Sequence, residues 1–382
     1  MAAASTSGNK AAVTKLMRPA RETRNADTID AKRLTVEFPA VPKSFRLVFL
    51  FGKIGACVNE RNPLILSRES RVRVWLVNWA ATMSKARHCS VDKGVGQITL
   101  LKPLCFDNLM MEPDFQPFEL ISGNSGKGLL LLADHAGRKL PSDYGSLGLP
   151  EAEFERHIAY DIGVEAVTRG LAAALGVPAV LCHFSRLLID PNRGEDDPTL
   201  IRQLYDGTVI SGNYPMESQE REARLQGFYR PYHRAVSDTI RDVREASGQA
   251  PMIFSVHSFT PVMQGFVRPW HVGVLWDMDH RVAWPLIEML ASDPALCVGD
   301  NEPYDGALRG DTMYNHAIVH GLAHALIEIR QDLIADQAGA DAWIERLVPI
   351  LLAINARADV HQVQHFGSRT GPVDHEKGSP HA

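Results

Sequence analysis

The sequence has no run of about 18 apolar residues and no apolar segment near its N-terminus, which excludes a membrane-spanning helix and a classical secretion signal. A cytoplasmic chain with no membrane partner is therefore expected. It also has no CxxC pair. Cys57, Cys89, Cys105, Cys182 and Cys297 are odd in number and scattered, which excludes a disulfide framework and a Cys-rich zinc site. Any bound metal must then be held by His and carboxylates. There is no excess of positive charge, since the net charge is -5, and this points away from a nucleic-acid partner. No internal repeat is visible.

What is present is a globular composition, 382 residues at 45% hydrophobic content, enough to bury a large core. The charge is divided along the chain. Residues 1–110 hold 18 Lys and Arg against 8 Asp and Glu, and residues 111–382 hold 22 against 37, so the first part is +10 and the second -15. The first part has short apolar bursts at 45–51 and 72–77 but little sustained periodicity. Residues 1–30 are rich in Ala, Ser, Arg and Lys, a composition shared by disordered tails and organelle transit peptides. Residues 1–110 are expected to be a disordered or loosely attached extension, with Met110 or Met111 as an alternative start. The coherent pattern begins at residue 111 and runs to 358; a disordered tail rich in Gly, Ser, Pro and His is expected over 359–382.

Within 111–358, apolar runs suited to buried strands end on polar side chains. The run 129–133 leads into Asp134 and His135, the run 251–259 delivers His257, and the run 323–332 delivers Glu328 and Arg330. A fourth, LLIDPNR, ends with Asn192 and Arg193. In open α/β sheets the carboxyl ends of strands line the ligand crevice, so these groups are expected to converge. Imidazoles suit a zinc ion, a carboxylate suits a base for its water, and a guanidinium suits a substrate carboxylate.

Helices are expected over 151–175, where His157 and Asp161 share a face, over 219–247 with a kink at Pro231, and over 282–291, 311–320 and 338–355. Further strands are expected at 270–278 and 296–298, with a polar loop, GDNEPYDG, at 299–306. This alternation predicts an α/β fold: a largely parallel, mixed sheet with helices on both faces. His316, His320 and His324 recur every four residues, but Gly321 interrupts the helix that would align them. The pair Tyr232 and His233 is expected to pack.

Taken together, HAGRKLP, DPNR, SVHS, DNEPYDG and IEIRQDL resemble the N-formylglutamate amidohydrolase family over residues 115–358. The resemblance implies a zinc-carboxypeptidase-like three-layer sandwich in which a metal-activated water attacks an amide carbonyl. It implies His135 and His257 as zinc ligands, Glu328 as base, and Asn192 with Arg193 as the grip on a substrate carboxylate. Arg186, Asn301, Tyr304 and Arg330 are weaker candidates for substrate or oxyanion contacts. Carboxypeptidases carry HxxE at the first ligand position, whereas Arg138 stands three residues after His135 here. The acidic ligand is therefore Asp161 or Asp134. The expected activity is removal of a small acyl group, formyl, from glutamate by a zinc-type or other divalent-metal amidohydrolase. A carboxypeptidase or longer-chain deacylase of the same fold is the alternative, and a non-catalytic binding protein a more remote one. The substrate is a small N-acyl amino acid; the sequence does not fix the oligomeric state.

Overall fold

A computed structural model describes residues 115–375 and, within 33–89, the backbone of six short strands. Contacts divide the chain into two units, Met1–Leu104 and Cys105–Ala382. In the first unit the bursts at 45–51 and 72–77 fall on the strands Phe45–Leu50 and Arg73–Asn78, which pair antiparallel. Residues 1–30 lie outside the described residues, as do 376–382.

The second unit is built on seven strands: β1 (Phe118–Ile121), β2 (Leu129–Ala133), β3 (Ala179–Cys182), β4 (Met252–Phe259), β5 (Val272–Leu275), β6 (Val298–Asp300) and β7 (His324–Arg330). Their order in the sheet is β6-β5-β7-β4-β2-β3-β1. The central strands β7, β4, β2 and β3 are parallel. β1 runs antiparallel to β3, and β5 and β6 run together antiparallel to β7. The expected mixed sheet is thus present.

β2 shows why these runs become strands. All five of its residues are buried, with Leu129 and Leu131 in the core on one face and Leu130 and Leu132 in the core on the other. The first face is covered by α1 (Val164–Leu175), α4 (His280–Ala291) and α5 (Gln337–Asn355), whose buried residues include Leu171, Leu286 and Leu347. The second is covered by α3 (Arg230–Ser247), which contributes Tyr232 and Val236 and is preceded by the short α2 (Ser218–Arg224). Helical backbone continues from α2 to α3 through a wide π-type turn, Leu225–Tyr229, which lies directly ahead of Pro231, where a regular helix would lack a hydrogen bond.

Three local expectations are corrected. Residues 151–175 do not form one helix: a 3-10 turn, Glu151–Glu155, is followed by irregular chain before α1. Gly163 breaks the run with φ 83°, and a Cβ there would sit 2.1 Å from the Ile334 carbonyl oxygen. The helix expected over 311–320 shortens to 312–318 and closes on a wide turn, Tyr314–Ile318. The LLIDPNR run is no strand, since β3 ends at Cys182 and the chain turns through 185–193.

The tail is also corrected over its described part. Gln364 N donates to Gly321 O, and Arg281 donates to the carbonyls of Asp359 and Gln362. Arg369 donates to Asp277 and with two nitrogens to Asp305. Composition there resembles disorder, but paired hydrogen bonds fix the path.

Candidate active site

β2 ends at Ala133, so Asp134 and His135 leave the pleat and separate. Asp134 keeps the direction of Leu130 and Leu132 and is wholly buried. One of its oxygens accepts from Tyr232 Oη (2.8 Å) and Thr312 Oγ1 (2.7 Å), the other from Ser255 Oγ (3.2 Å) and His257 Nε2 (3.0 Å). His135 meets Asp161, whose backbone N–H donates to the His135 carbonyl (2.9 Å).

His135 and His257 are matched. Each turns Nδ1 to Asp161 Oδ2, at 3.4 and 2.9 Å. Each turns Nε2 to a separate buried carboxylate: His135 to Asp190 Oδ1 at 2.7 Å, His257 to Asp134 Oδ2 at 3.0 Å. A carboxylate behind each ring holds the Nε2 proton, so that with a cation in place of the Nδ1 protons both Nδ1 lone pairs would face it together with Asp161 Oδ2. The three donor atoms lie within 4.8 Å of one another, and all three residues are buried. Two imidazoles and one carboxylate in this arrangement fit a divalent cation such as zinc. Burial alone would lower the His257 pKa, but hydrogen bonds to Asp134 and Asp161 hold it up at about 10 in the metal-free site. Burial would likewise raise Asp161, and the two histidines hold it well below the usual carboxylate range.

Glu328 pairs in register with His257 on the adjacent parallel strand, so the two side chains share a face. Its Oε2 is buried without a hydrogen-bond partner. Burial raises its pKa to about 8, with the Asp161 carboxylate pushing the same way and His257, Arg186 and Arg268 opposing. Arg330 is not its partner: Nε and Nη2 of Arg330 bind Asp332 at 2.8 and 3.2 Å.

These residues border a pocket of about 280 Å³ that is also lined by Asn192, Arg193, Arg186, Tyr304 and Arg202. Asn192 is fixed by its backbone N–H on Asp190 Oδ1 (3.0 Å) and by its Oδ1, which accepts from Thr312 N (3.1 Å). Its amide N–H groups make no hydrogen bond among the described residues. Arg193 gives Nη1 to the Asn192 carbonyl (2.6 Å) and forms no ion pair among them.

The weaker candidates divide. Tyr304 lines the pocket, 40% exposed, with the Arg268 guanidinium 4.9 Å from its ring centre. Arg186 lines it too, but binds Asp190 Oδ2 through Nε and Nη2 (3.2 and 2.8 Å) and Asp161 Oδ1 through Nη1 (3.3 Å), so its charge is already matched. Asn301 and Arg330 lie outside the lining. Asn301 shapes the 299–306 loop instead: its φ is 53° and its Oδ1 accepts from Trp276 N and Gly306 N, both at 3.0 Å. His157 is no helical neighbour of Asp161 and faces Asp206 at 3.5 Å. His316 stacks on His233 with a 2.8 Å nitrogen contact, while His324 binds the Leu322 carbonyl, so the three spaced histidines do not form a cluster.

Sequence reasoning misses Asp190 and the orienting role of Asp134. Asp190 lies inside the DPNR motif, two residues before Asn192, and that position is its only signal. Arg202 carries none.

A family profile described as N-formylglutamate amidohydrolase matches residues 127–335. An N-formylglutamate deformylase of Pseudomonas putida is 30% identical over 148 residues, 34% of this chain and 51% of that protein, so the chain spans about half the length of the curated relative it matches. The crystal structure of a gene product from Agrobacterium tumefaciens is similar with a TM-score of 0.59 and 33% identity, covering 63% of this chain and 95% of that one. An N-formylglutamate amidohydrolase from Ralstonia eutropha gives a TM-score of 0.45 and 20% identity over 63% and 97%.

Proposed function

This chain belongs to the N-formylglutamate amidohydrolase family, and from that premise we propose that it hydrolyses N-formylglutamate to glutamate and formate, in the cytoplasm, with a divalent metal such as zinc. The observation that carries the reading is the donor group of His135, Asp161 and His257 beside the unpartnered Glu328 oxygen. Residues that bind substrate through an acyl carbonyl and an α-carboxylate need such a group next to an anion grip, and Asn192 with Arg193 borders the same pocket.

His135, His257 and Asp161 would hold the cation, which supplies Lewis-acid polarisation and makes water more acidic. Glu328 receives the proton of the attacking water as its oxygen adds to the acyl carbon. It then returns that proton to the amide nitrogen as the C–N bond breaks. Asp134 and Asp190 keep the imidazoles oriented throughout. Asn192 donates through its amide and Arg193 through its guanidinium to the α-carboxylate. A pocket of about 280 Å³ stands at the small end of the about 300–1,000 Å³ that small-molecule sites span, in keeping with a small acyl amino acid.

The test is formate release from N-formylglutamate compared with turnover of N-acetyl and peptidyl analogues, before and after a chelator and with metal restored. Preference for a peptidyl substrate would move the assignment to a carboxypeptidase. Turnover that survives complete metal removal would remove the metal from the reaction.

Replacing Arg193 by Ala is expected to weaken α-carboxylate binding by about 2–5 kcal/mol, seen as a fall in kcat/KM. Lys should restore the charge without the fork and recover only part of the loss. An unchanged kcat/KM in the Ala variant would show that the carboxylate binds elsewhere.

We further propose that residues 111–358 and the tail packed on them form the catalytic unit without residues 1–110. A chain beginning at Met111 is expected to melt cooperatively and keep most of its activity. Aggregation with loss of the cooperative transition would show that residues 1–110 complete its core.

A further inference from the structure

Three arginines line the pocket, and their surroundings differ. Arg186 is neutralised by Asp190 and Asp161. Arg193 is the α-carboxylate grip of the proposed amidohydrolase reaction, and any role for Arg202 in that reaction rests on the same proposal. Arg202 has neither kind of partner. Among the described residues its side chain forms no hydrogen bond and no ion pair, and its Nε is buried without a partner. What fixes it is the Tyr205 ring, 4.5 Å from the guanidinium carbon. Tyr205 is carried on a two-strand hairpin, Leu204–Tyr205 with Thr208–Val209, and also packs against Arg186 at 5.5 Å.

A half-buried guanidinium with unused donors is costly until an anion reaches it. Burial pulls the Arg202 pKa down, the charges of Arg186 and Arg193 add to that, and Tyr205 and Asp190 oppose it. Arg268, a buried guanidinium nearby, differs in being engaged: Nη1 donates to the Thr260 carbonyl and hydroxyl at 3.2 and 3.3 Å. The remaining acids of the pocket do not answer Arg202. Asp305 is bound by Arg369, Asp311 accepts from Tyr314 N, and Glu328 faces His257 from the adjacent strand and forms no ion pair with Arg202.

We propose that Arg202, steadied on Tyr205, forms a second carboxylate subsite, so that the pocket selects N-acyl amino acids with an acidic side chain. The substrate's α-carboxylate goes to Arg193 and its side-chain carboxylate to Arg202. A guanidinium fork pairs with a carboxylate through two parallel hydrogen bonds, whereas a side-chain amide offers one acceptor and sets an N–H against the cation. The neutral analogue therefore leaves Arg202 desolvated and partly unpaired, which is a penalty as well as a lost attraction.

The experiment uses the full chain loaded with metal and compares N-formylglutamate with N-formylglutamine, which has nearly the same shape and no side-chain charge. The wild type should favour the acid by about 100-fold in kcat/KM, the scale of hydrogen bonds to a charged group. Arg202→Met should lower kcat/KM for the acid by about that factor, through KM, because the contact is made equally before and during the reaction. The preference should collapse towards one, and Arg202→Lys should recover part of it. Equal fold-losses on both substrates, or a preference that persists in Arg202→Met, would overturn the subsite. Calorimetric binding of glutamate and glutamine separates this from the reaction itself. If the wild type hydrolyses neither formyl compound, the amidohydrolase reading falls, and the subsite then stands only if glutamate is preferred and Arg202→Met abolishes that preference. Equal binding of the two amino acids by the wild type would overturn it.

Discussion

Glu328→Gln is expected to give a folded, metal-binding protein whose kcat for formate release is lower by about 10²–10⁴-fold, with little change in substrate binding. The substitution keeps the shape and removes the proton acceptor. A structural ion pair with Arg330, two residues along the strand, would predict early melting instead, and Arg330 is already bound to Asp332. The pH dependence separates the roles further. Glu328 has a folded pKa of about 8 against an ordinary value of 4.5, so the folded state binds the extra proton between those values. Its contribution to stability is therefore present in full below pH 4.5 and is lost as pH rises through 8. In metal-free protein, Glu328→Gln should melt close to the wild type at about pH 4 and above it at about pH 8. Metal should narrow that gap, since a nearby cation favours the carboxylate. A Gln variant that melts early at both pH values yet turns over normally per folded molecule would take Glu328 out of the mechanism.

The core of the sheet is legible because buried parallel strands are written as apolar runs; 129–133 is continuous, and 252–259 and 324–330 are apolar but for a few polar residues, His257 and Glu328 among them. Strand polarity is what carries His135, His257 and Glu328 towards one edge of the sheet, while the roles proposed for them come from the family resemblance. Asp161 is reached by a wrong local path. The spacing puts it with His157 on a helix face, whereas Gly163 keeps that segment out of the helix and the Asp161 N–H is tied to His135 instead. A glycine's close approach to Ile334, far along the chain, leaves no mark in the local pattern. Asp190 is unreadable for a related reason: an Asp before a Pro resembles any turn residue, and its partner His135 is 55 residues distant. Asn301 misleads in the opposite direction, because the hydrogen-bonding density that marks a binding loop also marks a tight one. The order of the tail at 359–375 is hidden because composition reports what a segment can bury, and this one is held by backbone bonds and by Arg281 and Arg369.

Asp161→Ala is expected to abolish stoichiometric metal binding and reduce activity to background, while Asp134→Asn should retain metal with affinity lowered by about 10–100-fold. The distinction rests on which side of the imidazoles each carboxylate occupies. Asp161 Oδ2 faces both Nδ1 atoms, so it completes the donor group. Asp134 faces Nε2 of His257, and both its oxygens are already engaged by Tyr232, Thr312, Ser255 and that ring, which leaves no lone pair well placed for a cation. Removing Asp161 also takes a partner from Arg186, so some loss of stability is expected and metal content must be measured per folded molecule. Dialysed protein titrated against a chromophoric chelator gives both occupancy and affinity. With excess metal, Asp134→Asn should regain much of its activity, because its defect lies in orienting a ligand, and Asp161→Ala should not. The reverse pattern, with metal kept in Asp161→Ala and lost in Asp134→Asn, would make Asp134 the acidic ligand and turn the histidine pair around.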